Sequence, residues 1–318
     1  MSRFTCRSSL CLTALLLRAP MRLTTLLVTT LVLIGSVRPA AAQIPFTSFD
    51  IPGAGSYFVP GINDRGVIVG SWRPYEGPPF VPNVGFIRSP GGRITTPVLD
   101  PNDTESFTVL RAINNEGVIA GFYGLSVAHG FVLTEGLFTP RDFPGALDTA
   151  VRGINNQGDL SGTYDTALHP DPIGFIMPRQ GPAITFGPPP GGSGLVVAKI
   201  NDWRQVVGYY TAADGTTVGF LRKPTSQLVD ITVPGAINTQ VQGINDCGIV
   251  IGTWADNNTA HGFYGRPGNL HPFDLPGAGA TFGQGINNHG RLVGRYAGAN
   301  GVQHGFVTAP IPGAACDD

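Results

Sequence analysis

"GINDRG" occupies Gly61–Gly66, and the same six-letter shape returns as "AINNEG" from Ala112, "GINNQG" from Gly153, "KINDWR" from Lys199, "GINDCG" from Gly243 and "GINNHG" from Gly285. A stretch written six times is either a ligand loop used in multiple or a turn that the architecture needs once per unit. Two or three residues rich in Asn, Asp and Gly separate each "GIN" from the apolar run that follows it, "VIVG" in the first copy. These residue types accept positive φ at little cost and make tight hairpins, so the stretch reads as a connector between two strands. The fourth copy has Trp203 and Arg204 where the others have a residue and Gly. A metal or anion loop would be damaged by that exchange, whereas a longer or differently shaped hairpin would absorb it.

Working outward, the dipeptide Gly-Phe recurs at Gly85, Gly130, Gly174, Gly219, Gly262 and Gly305, in steps of 45, 44, 45, 43 and 43 residues. Each unit holds strand candidates in a fixed order, which in the fifth read "VQGIN", "IVIGTW", "HGFYG" and "LHPFDLPGA". Short apolar runs punctuated by Gly and Pro, with no sustained 3.6-residue period, predict an all-β chain. Four strands per unit of this length predict a six-bladed β-propeller of four-stranded blades, one domain over residues 43–310 with 311–318 as a C-terminal tail. The outermost strand of a blade occurs at Phe46, Ile94, Phe138, Ile184, Leu228 and Leu270, and no copy follows Gly305. The surplus "FTSFD" at the N-terminus is therefore expected to complete the last blade and close the ring, which leaves no open sheet edge.

The first 42 residues read as an address. "MRLTTLLVTTLVLIGSVRPAAAQ" from Met21 has a basic start, an apolar run and small residues before Gln43, the three regions of a secretory signal. Residues 1–20 are also basic and then apolar, which leaves Met1 and Met21 both open as the start; Gln43 is read as the mature N-terminus, which predicts a secreted protein, extracellular or periplasmic. Its apolar run is too short to span a membrane comfortably. Cleavage leaves 15 basic against 21 acidic residues and no basic run, which excludes a nucleic-acid partner. Two cysteines remain, Cys247 and Cys316, either a disulfide or two separate thiols.

Chemistry-bearing residues recur with the units. His129, His261 and His304 each precede a Gly-Phe, where the other units have Val84, Ile173 and Val218. Asp142, Asp274 and Asp50 stand two residues before a Pro in the outermost strands, so with the ring closed every His shares a blade with an Asp. The remaining blades offer Val84 with Leu99, Ile173 with Phe186 and Val218 with Thr232. Such a pattern fits cross-strand neighbours, polar with polar and apolar with apolar. Acid–base or metal chemistry is the functional reading of the pairs. Exchange for hydrophobes within one chain favours three copies of a buried, structural hydrogen-bonded pair. Trp72, Tyr123, Tyr164, Tyr210, Trp254 and Tyr296 stand at one repeated strand end, either as a ring of ligand-stacking aromatics around a channel mouth or as packing between blades.

Nearly the whole mature chain, residues 46–309, resembles the bacterial extracellular repeat proteins of the HAF family through "GINDRGVIVGSW", "HGFVL" and "FDLPGA". The resemblance implies export and a repeated β fold and carries no activity. No nucleophile elbow, phosphate loop, "HExxH", CxxC or calcium loop is present, so no catalytic residue, metal or cofactor is assigned. The expectation is a monomeric binding scaffold whose ligand, carbohydrate or protein, is unknown. The rival is an extracellular hydrolase or lyase of a glycan polymer, using Glu76, Asp165, His169 and Asp171 from irregular loops.

Overall fold

The computed structural model describes residues 44–74 and 82–316. The signal segment and Glu76 lie outside the described residues. A short strand β1 (Phe46–Phe49) is followed by six strand groups. The first is β2 (Ala54–Ile62), β3 (Ile68–Pro74), β4 (Val84–Arg88) and β5 (Ile94–Val98). The second is β6 (Thr108–Ile113), β7 (Ile119–Tyr123), β8 (His129–Thr134) and β9 (Leu137–Pro140). The third is β10 (Asp148–Ile154), β11 (Leu160–Thr166), β12 (His169–Met177) and β13 (Ile184–Phe186). The fourth is β14 (Ser193–Ile200), β15 (Val206–Thr211), β16 (Thr217–Arg222) and β17 (Leu228–Ile231). The fifth is β18 (Asn238–Ile244), β19 (Val250–Ala255), β20 (Ala260–Arg266) and β21 (Asn269–Phe273). The sixth has β22 (Ala278–Ile286), β23 (Leu292–Gly298) and β24 (Gln303–Thr308). Each group is an antiparallel meander, and parallel bridges join the first to the second at Asn83 and Phe107 and the fourth to the fifth at Thr217 and Asn238. In the sixth sheet β1 supplies the outer strand, pairing Phe46 with Thr308 through Phe49 with Gly305.

One cross-strand pair explains two of the repeated sequence signals. The Gly of each "VG" lies opposite the Phe of each Gly-Phe, as Gly70 does Phe86 and Gly252 does Phe263. A Cβ on Gly70 or Gly252 would meet that ring and the carbonyl of the first strand, so only Gly admits the aromatic there. All six of these Phe side chains, from Phe86 to Phe306, are fully buried. Burying a Phe stabilises by about 1.5–3 kcal/mol. The cores lie between consecutive units: Val69 of the first packs with Leu110 and Phe131 of the second, and Val293 of the sixth with Val59 and Phe86 of the first. The segment after residue 310 departs from the expected tail. Ile311 and Ala314 are buried against the fifth and sixth units, and Cys316 is bonded to Cys247. Two apolar side chains and a crosslink make it a packed strap.

Candidate functional site

The "GIN" hairpins do more than turn the chain. Asn63 Oδ1 accepts from Val67 N within the loop, and its Nδ2 donates to the carbonyl of Asn114 in the next unit. The same bond runs from Asn114 to Asn155, Asn201, Asn245, Asn287 and back to Asn63, at 3.0–3.4 Å. A second circuit links the following residues, each backbone N–H donating to the next side chain, through Asp64, Asn115, Asn156, Asp202, Asp246, Asn288 and again Asp64, at 2.7–2.9 Å. Asp246 is raised above the usual carboxylate range by burial first, and Asp202 and Asp64 add repulsion to it. The expectation for the fourth copy is corrected: its hairpin keeps the shape of the others, with Arg204 at φ 54° where Gly66 has 78°. Its Nε bonds Asp159 at 2.7 Å, an ion pair that compensates an unfavourable backbone conformation. Burial would raise the Asp159 carboxyl, but bonds from Arg204, Arg179 N–H and Asn155 outweigh it and hold the group below its ordinary value.

Before every hairpin the first strand carries a register shift, for example between Leu110 and Ala112 and between Val151 and Gly153. A bulge frees one residue from the ladder and re-aims its side chain. Those residues are Arg111 and Arg152 in the second and third units, and Gln242 and Gln284 in the fifth and sixth. Lys199, where the other units have Gly or Ala, donates from Nζ to the Arg111 carbonyl at 2.6 Å, a contact between the second and fourth units. Arg111 and Lys199 are held well below their ordinary values, by burial first and then by Arg152 and Arg111 respectively, while burial alone lowers Arg152. Among the described residues no carboxylate pairs with any of the three.

Arg111 also lines a cavity of about 310 Å³ with Phe58, Trp72, Arg73, Phe107 and Arg295. Its guanidinium lies 4.2 Å from the Phe58 ring centre, that of Arg295 lies 4.1 Å from Phe282, and that of Arg73 lies 5.7 Å from Phe107. Four polar atoms of residues lining this cavity are buried without a hydrogen-bond partner: Ser71 Oγ, Asn83 Oδ1, Arg111 Nε and Arg295 Nε. Sequence reasoning missed this site. The signal was present in the variable residue three before each hairpin Asn, which reads Pro60, Arg111, Arg152, Ala198, Gln242 and Gln284.

The sequence-predicted residues fall elsewhere. Trp72, Tyr123, Tyr164, Tyr210, Trp254 and Tyr296 do not ring a mouth; each packs into a different inter-unit core. Alternation along the second strand turns these side chains toward the neighbouring unit, and of the six only Trp72 lines the cavity. Burial, then the bond to Asp230, pushes Tyr210 up to about 12. His129 and Asp142 lie 3.0 Å apart, His261 and Asp274 2.9 Å, and His304 and Asp50 2.7 Å across 254 residues of chain. Each imidazole lies over the aromatic opposite it, Tyr123, Trp254 or Tyr296. The pairs are not buried as expected: His129 and Asp142 are both 42% exposed, because they sit where the strands end. In the third unit Phe186 faces Gly174, not Ile173. His169 and Asp171 line a shallow cavity of about 250 Å³, and Asp165 is not among its residues. Asp165 lies opposite Asp148 and is raised by burial first, then by that neighbour. Cys247 and Cys316 form a disulfide with Cα atoms 5.4 Å apart.

No family model matches the chain. No curated protein matches it either. Solved structures do. TolB from Acinetobacter baumannii superposes with a TM-score of 0.50 at 12% identity, over 81% of this chain and 65% of its own. The chain thus spans 65% of that protein's length. A virginiamycin B lyase from Staphylococcus aureus matches at TM-score 0.48 and 12% identity, covering 85% of this chain and 89% of its own. A fungal lectin from Aleuria aurantia, described as a six-bladed β-propeller with a novel fucose recognition mode, matches at 0.49 and 10%, covering 85% and 93%. At such identities the likeness is one of fold alone. The fold is all-β, built of repeated four-stranded antiparallel groups.

Proposed function

We propose that the protein is an exported β-propeller of six blades, closed into a ring by β1, that works as a binding module with its ligand in the Arg111 cavity. The observation that carries the binding reading is one aromatic-walled cavity lined by Ser71, Asn83, Arg111 and Arg295, each of which also carries a buried polar atom without a partner. A buried polar atom left unpaired costs about 1–3 kcal/mol, so four such residues around one space mark a wall whose polar groups the protein itself does not complete. A volume near 310 Å³ with aromatic walls and a few convergent polar groups suits a small molecule or one residue of a polymer. Six blades and closure are supported by the two hydrogen-bond circuits, which return from Asn287 to Asn63 and from Asn288 to Asp64, and by the pairing of β1 with β24. Export rests on the signal-like segment before Gln43 and on the HAF resemblance. Among the described residues no helix is long and apolar enough to cross a membrane.

The polymer-active enzyme is kept as a second reading because His169 and Asp171 share a cavity. A panel of polysaccharides and glycan oligomers on the purified protein, reading retention and product release together, separates the two. Retention without product, weakened by Trp72→Ala, is the expected result. Product release that is lost in His169→Ala would overturn the binding reading.

A further inference from the structure

The cations of the interior are additions to the scaffold. At the position of Arg111 and Arg152 the other units have Pro60, Ala198, Gln242 and Gln284, and at that of Lys199 they have Gly or Ala. The repeat folds without a charge at either place, so the architecture does not require one. Holding cations away from water without a carboxylate is strongly unfavourable. Such a cost is offset when an anion completes the group. The guanidinium of Arg111, laid against Phe58 and 7% exposed, has no protein acceptor at Nε and lines the cavity, and a planar guanidinium is the side chain best shaped to take an oxyanion. Arg295, whose Nε has no partner and whose Nη1 donates to Gln303 Oε1 at 2.8 Å, lines the same cavity, as does Ser71. Phe107, Phe122 and Trp72 supply flat walls beside these donors.

We infer that the Arg111 cavity takes an oxyanion, a carboxylate in the first instance, carried on a ring that stacks on its aromatic walls. The inference rests on the binding reading above and adds the charge class of the ligand. Carboxylates on rings come from two sources, acidic sugars and aromatic acids. The ring stacks in both cases, and the carboxylate meets Arg111 and Arg295.

The test is titration calorimetry on the mature protein with trigalacturonate and benzoate, each against a neutral counterpart, galactotriose and benzyl alcohol. At least one acid is expected to bind about tenfold or more tightly than its counterpart, and which acid does so names the source. Affinity should fall as ionic strength rises. Arg111→Gln should weaken binding about tenfold or more, with Ser71→Ala weakening it less. Arg222→Gln, an arginine stacked on Phe186 outside the cavity, should leave it unchanged. An unchanged far-UV spectrum and unfolding midpoint show that each variant is folded. A neutral compound bound as tightly as its acid, and lost in Arg111→Gln, overturns the charge class and leaves the binding reading standing. Acid binding that survives both Arg111→Gln and Arg295→Gln overturns the site. Binding of neither acid at millimolar concentration overturns the inference, and retention of no polymer in the panel sinks the binding reading with it.

Discussion

Replacing Phe49 by Ala tests whether the first strand belongs to the sixth sheet. Phe49 pairs with Gly305, and its ring occupies the space a Cβ at Gly305 would need. It also packs edge-on against Phe86 at 6.0 Å and Tyr57 at 6.5 Å, with Arg88 5.1 Å from its centre. One side chain thus joins the outer strand of the sixth unit to the core of the first. Phe→Ala in a buried site costs about 3–5 kcal/mol, and the rigid strands around Phe49 leave little room to collapse, so the upper half of that range is expected. For a domain of this size the thermal midpoint should drop by roughly 8–20 °C. Denaturant unfolding is the assay, with Leu137→Ala, on an exposed outer strand, as a control that should stay within about 0.5 kcal/mol. A loss under about 1 kcal/mol for Phe49→Ala at an unchanged denaturant slope would refute the packing of β1 and with it the closure argument. Deleting 314–318 is no neutral comparison, since Ala314 is buried and Cys316 is crosslinked.

Asn201→Ala removes a donor to the Asn245 carbonyl and an acceptor for Trp203 and Gln205 N–H, and should cost about 2–4 kcal/mol by chemical denaturation. Lys199→Met removes a buried cation beside Arg111 and should stabilise the ligand-free protein by about 1–3 kcal/mol at neutral pH. Because the folded value of Lys199 lies well below the ordinary 10.5, the unfolded chain binds the extra proton between the two values. Wild-type stability should then rise with pH across that window, and the Met variant should lack this rise when midpoints are compared along a pH series. Loss of the disulfide through Cys247→Ser with Cys316→Ser, which opens a loop of 69 residues, should lower stability by about 2–4 kcal/mol. An unchanged midpoint would show that the strap holds without it.

The sequence alone determined the repeating unit, because the backbone constraint is local. A hairpin needs Asn, Asp or Gly at fixed offsets, and a Phe across a strand pair needs Gly opposite, so "GIN" and Gly-Phe recur wherever those contacts recur. The same period gave the partners of His129, His261 and His304, since residues at fixed offsets in a hairpin are neighbours. Only the tertiary structure decided what faces what between units. Tyr210 and Trp254 could pack or bind by their chemistry, and the packing of one unit against the next places them in the cores. The Asn circuit was hidden for the same reason: Asn63 satisfies its own turn and also the carbonyl of Asn114, and a bond across 51 residues leaves no trace in local spacing. The cations at Arg111, Arg152 and Lys199 occupy positions that the repeat leaves variable, so the sequence shows that they differ from their counterparts but not that they meet. Bulges in separate first strands free Arg111 and Arg152 from their ladders, and Lys199, paired with Val207, reaches the Arg111 carbonyl by its long side chain.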